Sequence, residues 1–229
     1  MISMSKQTTP GQENYVTINL NLTFWLPVTW ICILLFSVVF ADFLPFNDPT
    51  ESDFTALKAR PSYEFFLGTD VLGRDIFSRI IYGARISLTV GFFAPVLGMI
   101  IGLMLGMLAG YYRQKLGSFI VGLMDVILAF PNIVLAMCIL FFAGATMFNL
   151  ILVLSITSIP ANTRIARAST LVFAGREFVL AARSQGASDI RILCQEILPN
   201  IILPQLAYIL SFMSIVIMIE GSLAFLGVG

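Results

Sequence analysis

The chain contains no histidine, and only 11% of its 229 residues are charged. The first absence removes imidazole metal ligands and imidazole acid–base chemistry together. The second sets the chain apart from soluble domains, where charged residues make up roughly a quarter. The formal net charge is zero, which gives no electrostatic footprint for nucleic acid. Cysteine is scarce as well. Cys32, Cys138 and Cys194 are scattered, form no disulfide framework and have no metal-type spacing, so they read as packing residues.

What is present is apolar surface. Hydrophobic residues make up 58% of the chain, and its mean hydropathy is +0.93. Water could not solvate a fold with so little polar cover, but a bilayer can, provided every backbone group is satisfied within helices. The expected fold class is therefore all-α: a polytopic membrane helix bundle.

Charge-free runs place the spans. Residues 24–41, "FWLPVTWICILLFSVVFA", carry both tryptophans near their start, as an interfacial belt would. A cleaved signal peptide is the rival reading, but the charge-poor leader and long run favour an uncleaved span. Residues 86–112 hold Gly98, Gly102, Gly106 and Gly110 at four-residue spacing. In a helix they share one face, where two backbones can approach closely. Residues 116–163 carry one charge, Asp125. That stretch is too long for one span and divides at 143–149 into spans near 117–142 and 147–163. Residues 197–219 form the fifth. Pro95, Pro131, Pro160 and Pro204 fall in or near these runs and mark potential kinks. The organisation is then a tail (1–23), a first span (24–44), an outer segment (45–85) and a core of four spans (86–229).

Lysine and arginine set the orientation. With the N-terminus in the cytoplasm, Lys6, Arg113, Lys115, Arg164, Arg167, Arg176, Arg183 and Arg191 lie inside. The outer segment has fewer basic residues and is rich in acids, although Arg79 and Arg85 pull the other way. Within it, "DVLGRDIFSRI" reads as an amphipathic helix on the interface. Its Asp70, Arg74, Asp75 and Arg79 suit a local salt-bridge network.

The remaining polar island, 164–199, would be a cytoplasmic loop with structure of its own. Residues 176–185 favour helix, Gly186 ends it, and Ser188 caps a second helix. Ile190, Leu193 and Ile197 would form that helix's apolar face, and Pro199 would close the unit.

This island resembles the Glu-Ala-Ala loop of binding-protein-dependent ABC importer permeases. Leu180, Ala181, Ala182, Gly186, Leu198 and Pro199 stand at that pattern's positions, with Leu180 where the pattern has glutamate. "LGTDVLGRDIFSRIIYGARISLTVG" (67–91), "DVILAFP" (125–131) and "EGSLAFLGVG" (220–229) are similar to landmarks of the dipeptide, oligopeptide and nickel permeases. The resemblance implies a non-enzymatic permease subunit in the inner membrane that binds no cofactor itself. ATP would be hydrolysed by separate ABC ATPase subunits that dock on the loop. A second permease subunit and a solute-binding protein would complete the assembly. Ala181, Ala182 and Gly186 would make the close docking contacts, while Arg183, Asp189 and Arg191 would lie on the rim. The family usually has six spans. A chain ending at Gly229 shows five, so a missing last span is expected.

Asp125 and Glu220 are carboxylates at membrane depth, where charge is costly and faces protein or water. Each suits either a pathway residue or a structural pairing at an interface. Three other readings compete: an ion-driven transporter, a non-transporting assembly subunit, and a permease for another solute.

Overall fold

The computed structural model describes residues 22–43 and 47–227. The tail, with Lys6, and the terminal Gly229 lie outside the described residues. All regular elements among the described residues are helices. The chain divides into two units, Met1–Asn47 and Asp48–Gly229. The first holds α1 (Leu22–Val39), which keeps its helical path through Pro27 and is followed by a short 3₁₀ turn, Ala41–Phe43.

The second unit is a bundle of six helices: α2 (Ile76–Tyr111), α3 (Lys115–Leu128), α4 (Asn132–Ala143), α5 (Met147–Phe173), α6 (Glu177–Ser184) and α7 (Asp189–Phe225). Among the described residues four helices, α1, α2, α5 and α7, are long and apolar enough to cross a membrane. The bent pair α3–α4 makes a fifth if it counts as one span.

Three elements differ from the sequence reading. The expected interfacial helix is not separate: Ile76 starts a single 36-residue α2. Its N-terminus is set by Asp75, whose carboxylate accepts from Phe77 N at 3.0 Å and from Ser78 Oγ at 2.8 Å. The span expected over 117–142 is two helices bent by 81°. Pro131 has no N–H to donate and disfavours helical geometry at Phe130, so α3 ends before it and α4 starts after it. Helix α5 runs ten residues past its expected end, to Phe173. Arg164 and Arg167 therefore sit on a helix and not in a loop.

The extra length of α5 follows from what it packs against. A Cβ at Gly102 would lie 2.5 Å from Asn162 Cβ. One at Gly106 would lie 2.5 Å from Ala166 Cβ, and one at Gly110 2.7 Å from Thr170 Cβ. At Gly98 it would overlap Ser158. Four glycines of α2 thus mesh with Ser158, Asn162, Ala166 and Thr170 of α5, each set at four-residue spacing, along the C-terminal part of both helices. In lipid this packing replaces the water-driven effect as the source of cohesion. Ser158 and Asn162 in the seam turn to backbone, Ser158 Oγ donating to Ser155 O at 2.8 Å. Asn162 Nδ2 donates to Ser158 O (2.9 Å), and Gln205 Nε2 of α7 donates to Asn162 O (3.0 Å).

Two apolar clusters stack along the bundle. One joins Val90, Leu140, Leu154, Val216 and Leu223 from α2, α4, α5 and α7. The other joins Leu103, Met107, Ala166, Val179, Ile192, Ile197 and Ile201, and so packs α6 and the start of α7 onto the far end of α2. The three cysteines take no part in either cluster; all are free and exposed. The packing role expected for them is therefore not what the structure shows.

Segment 48–75 has no regular helix but is held by side chains. Asp48 accepts from Thr50 and Asp53 from Thr55, each through both backbone N–H and hydroxyl. Asp70 is the hub. It accepts from Leu72 N (2.8 Å), Arg74 N (3.0 Å) and Arg74 Nε (2.9 Å), and it pairs with Arg79. Partial desolvation pushes the Asp70 carboxyl up, but the N–H groups of Arg74 and Leu72 and the Arg74 guanidinium outweigh it. The net effect holds the group well below the usual carboxylate range. Asp75 serves as the α2 cap beside this network of Asp70, Arg74 and Arg79.

Candidate functional site

The loop between α5 and α7 is the polar island of the sequence, and its structure follows from a few residues. Helix α6 has Glu177 in its first turn and Arg183 in its last, matching the helix dipole at both ends. Gly186 ends it at φ +80°. Ala187 N donates to Ala182 O (3.1 Å) and Gly186 N to Arg183 O (3.0 Å), the paired closing bonds of a left-handed helix end that favours glycine. Ser188 caps α7 by accepting from Arg191 N.

Beyond that cap the helix departs from the expected pattern. After one α-helical turn, residues Ile192–Ile197 are π-helical, and the α-helix resumes at Leu198. Pro199 accounts for the break in register. It cannot donate to the carbonyl four residues back, and Leu198 N bonds instead to Leu193 O, five back. Pro199 therefore does not close the unit; the helix runs straight on into the membrane-capable segment. The wider turn also shifts the buried face. Ile192, Leu193 and Ile197 are buried, while Ile190, expected inside, is 74% exposed.

Helix α6 has an inner and an outer face. Val179 is fully buried and Ala182 half-buried against the end of α2. Leu180 is 50% exposed, and Ala181 and Gly186 are exposed. Of the three small residues expected at a docking surface, Ala182 thus packs on its own chain, leaving Ala181 and Gly186 outward. Leu198 is half-buried, Pro199 exposed.

The charges expected on the rim have partners within the chain. Asp189 accepts from Tyr111 Oη at 2.6 Å and from Tyr112 Oη at 2.9 Å, one hydroxyl on each carboxylate oxygen. Arg183 donates to Tyr111 Oη (2.9 Å), and its guanidinium carbon lies 5.5 Å from that ring's centre. Arg191 donates to Gln195 Oε1 (3.1 Å). The tyrosines were missed in the sequence. The available signal was "GYYRQK", two phenols where a glycine-rich apolar run meets basic residues.

The two membrane-depth carboxylates lie apart from this loop, each with its own partner. Asp125 of α3 pairs with Arg164 of α5 at 2.7 Å, and both side chains are more than half exposed. Glu220 of α7 is buried and accepts from Ser87 Oγ of α2 at 2.8 Å. Among the described residues there is no group of three or more His, Cys, Asp or Glu placed to hold a metal.

Comparison with known proteins places this architecture. Residues 102–229, from the glycine ladder to the end of the chain, match the family model of the binding-protein-dependent transport system inner membrane component. A glutathione transport system permease protein of Pectobacterium atrosepticum is 40% identical over 199 residues, which is 86% of this chain and 66% of that protein. A di/tripeptide transport system permease protein of Pseudomonas aeruginosa is 35% identical, over 87% of this chain and 68% of its own length. A dipeptide transport system permease protein of Alkalihalophilus pseudofirmus is 34% identical, over 96% and 72%. The chain spans about two thirds of the length of the first of these relatives. With that match over more than half of the chain and these relatives, the chain belongs to the family of binding-protein-dependent transport system inner membrane components.

Proposed function

We propose that this chain is one permease subunit of an ATP-driven importer in the bacterial cytoplasmic membrane, with its N-terminus inside, and that its cargo is a small peptide. The observation that carries the reading is the loop: it lies within the matched family region, is folded and braced from behind, and presents an outer face of Leu180, Ala181 and Gly186. ABC ATPase subunits would dock on that face and hydrolyse ATP, and this chain would carry no ATP chemistry itself. A second permease subunit would complete the pathway. A solute-binding protein would dock on segment 48–75, the side-chain-braced surface at the other end of α2. Peptide cargo is supported by the relatives' names for dipeptide, di/tripeptide and glutathione transport.

Purification of the tagged chain from its native membrane in mild detergent, with mass spectrometry of what accompanies it, tests the assembly. Two ATPase subunits and a second permease are the expected companions. Ala181→Trp, on the exposed face, should strip the ATPases while leaving the permease pair intact. A chain that emerges alone would refute the reading.

A further inference from the structure

The loop is tied to α2 by a small polar cluster whose members come from three elements. Tyr111 is the last residue of α2 and Tyr112 its C-terminal cap. Asp189 is the first residue of α7, and Arg183 sits in the last turn of α6. The two phenols donate to opposite oxygens of one carboxylate, at 2.6 and 2.9 Å, so Asp189 cannot shift along α2 without losing one of them. The Arg183 bond to Tyr111 Oη adds α6 to the same point. Bonds of this kind, with a charged partner, are roughly twice as strong as neutral ones.

What lies beyond the tyrosines gives the cluster its consequence. The turn after Tyr112 is tight: Gly117 N donates to Tyr112 O at 2.9 Å, which joins the start of α3 to the end of α2. Helix α2 is in turn meshed with α5 through the glycine ladder. Asp189 therefore grips the junction from which α2 and α3 both emerge. The rest of the loop shares the second apolar cluster with α2, with Val179 and Met107 among its members. Those contacts can slide; a two-pronged carboxylate bond cannot.

We propose that Asp189, Tyr111 and Tyr112 are positioning residues for transport: they carry a displacement of the docking loop to the α2–α3 junction, so that loop and spans move as one body. This rests on the permease reading above and specifies how that site is coupled. The cluster does not touch cargo or nucleotide. It sets whether a push on α6 reaches the spans or is absorbed as slippage.

The test uses the complete complex recovered with the chain from its native membrane and reconstituted in liposomes, with dipeptide uptake and ATP hydrolysis measured together. Tyr111→Phe/Tyr112→Phe keeps both rings and removes both donors. Dipeptide taken up per ATP hydrolysed should fall by about tenfold, the scale of a typical coupling between sites, while the ATPases still co-purify. Tyr112→Phe alone, at an exposed position, should give an intermediate loss and serves if the double variant is not recovered from the membrane at all. Uptake per ATP equal to that of the unaltered complex would overturn the proposal. So would loss of the ATPases from the double variant, since the cluster would then only fold the loop. Failure of the unaltered chain to bring down any ATPase would instead refute the permease reading, and this proposal with it.

Discussion

The pairs α2–α5 and α3–α4 are cut from the same apolar stock, and they pack in opposite ways. Helices α2 and α5 lie backbone to backbone along a seam of glycine, serine, alanine and threonine. Helices α3 and α4 form one interrupted segment whose large side chains, Phe119, Phe130, Phe141 and Phe142 among them, are exposed. Hydropathy is high in both pairs, so hydropathy did not decide the difference. The register of small residues decided the first pair and one proline decided the second. Apolar content qualifies a segment for the bilayer; it does not say whether the segment will be a fixed part or an outward one.

The sharpest way to break this contrast is to load the ladder. Gly106→Leu should destabilise the chain by at least the roughly 1–3 kcal/mol of an overpacked core, read as a lower midpoint of denaturant unfolding in detergent. Gly83 lies on the same helix with open space where a Cβ would go. Gly83→Ala should be neutral or stabilising by up to about 1 kcal/mol. If both changes behave alike, the ladder is not what fixes α2 on α5.

Removing the interruption tests the other pair. Pro131→Ala lets α3 propagate into α4. Spin labels at positions 119 and 141 should then move apart by about 8 Å as the 81° bend straightens, taking 1.5 Å of rise per residue. An unchanged distance would show that packing, and not the proline, holds the bend.

The Asp125–Arg164 bond is one point where the two pairs meet. Both groups are more than half exposed, so its worth should be about 1 kcal/mol or less where water reaches it. Arg164→Glu should weaken thermal stability, and the exchanged pair Asp125→Arg/Arg164→Glu should recover most of the loss. A double variant no better than the sum of its singles would mean that the charges act separately.

The smallest effect is expected at Asp70. Its folded carboxyl is held below the ordinary value of about 3.9. It therefore contributes stability above that value and loses it as pH falls through the folded value. Intrinsic-rate-corrected amide exchange over 53–75 should be flat from pH 8 to 5, and Asp70→Asn should speed it at pH 7 by no more than about fivefold. A rise in exchange between pH 8 and 5 in the unaltered chain would place the control elsewhere.

Much of this was legible in the sequence because it was local or periodic. The membrane-capable runs, the four-residue glycine face and the helix end at Gly186 each rest on backbone geometry that a short window specifies. The losses were of two kinds. Pro131 and Pro199 were visible, but whether a proline kinks, splits or widens a helix depends on what packs around it; one gave a sharp bend and the other a π-helical stretch. That stretch then exchanged Ile190 for Ile192 on the buried face. The bonds of Asp189 to Tyr111 and Tyr112, of Asp125 to Arg164 and of Glu220 to Ser87 join residues 39 to 133 positions apart. No period or spacing encodes such pairs, because only the packed helices bring them together.

Helix α2 has 36 residues, a rod of about 54 Å against about 30 Å of hydrocarbon. A rod of that length centred on a bilayer would have both arms outside the oil. A tilt of about 5° around its midpoint carries each tip roughly 2.4 Å sideways over that length, nearly the span of a hydrogen bond. Asp75 at one tip and Tyr111 at the other ride on those arms. An angular change too small to see at the centre of the membrane would be large enough to make or break a bond at either surface.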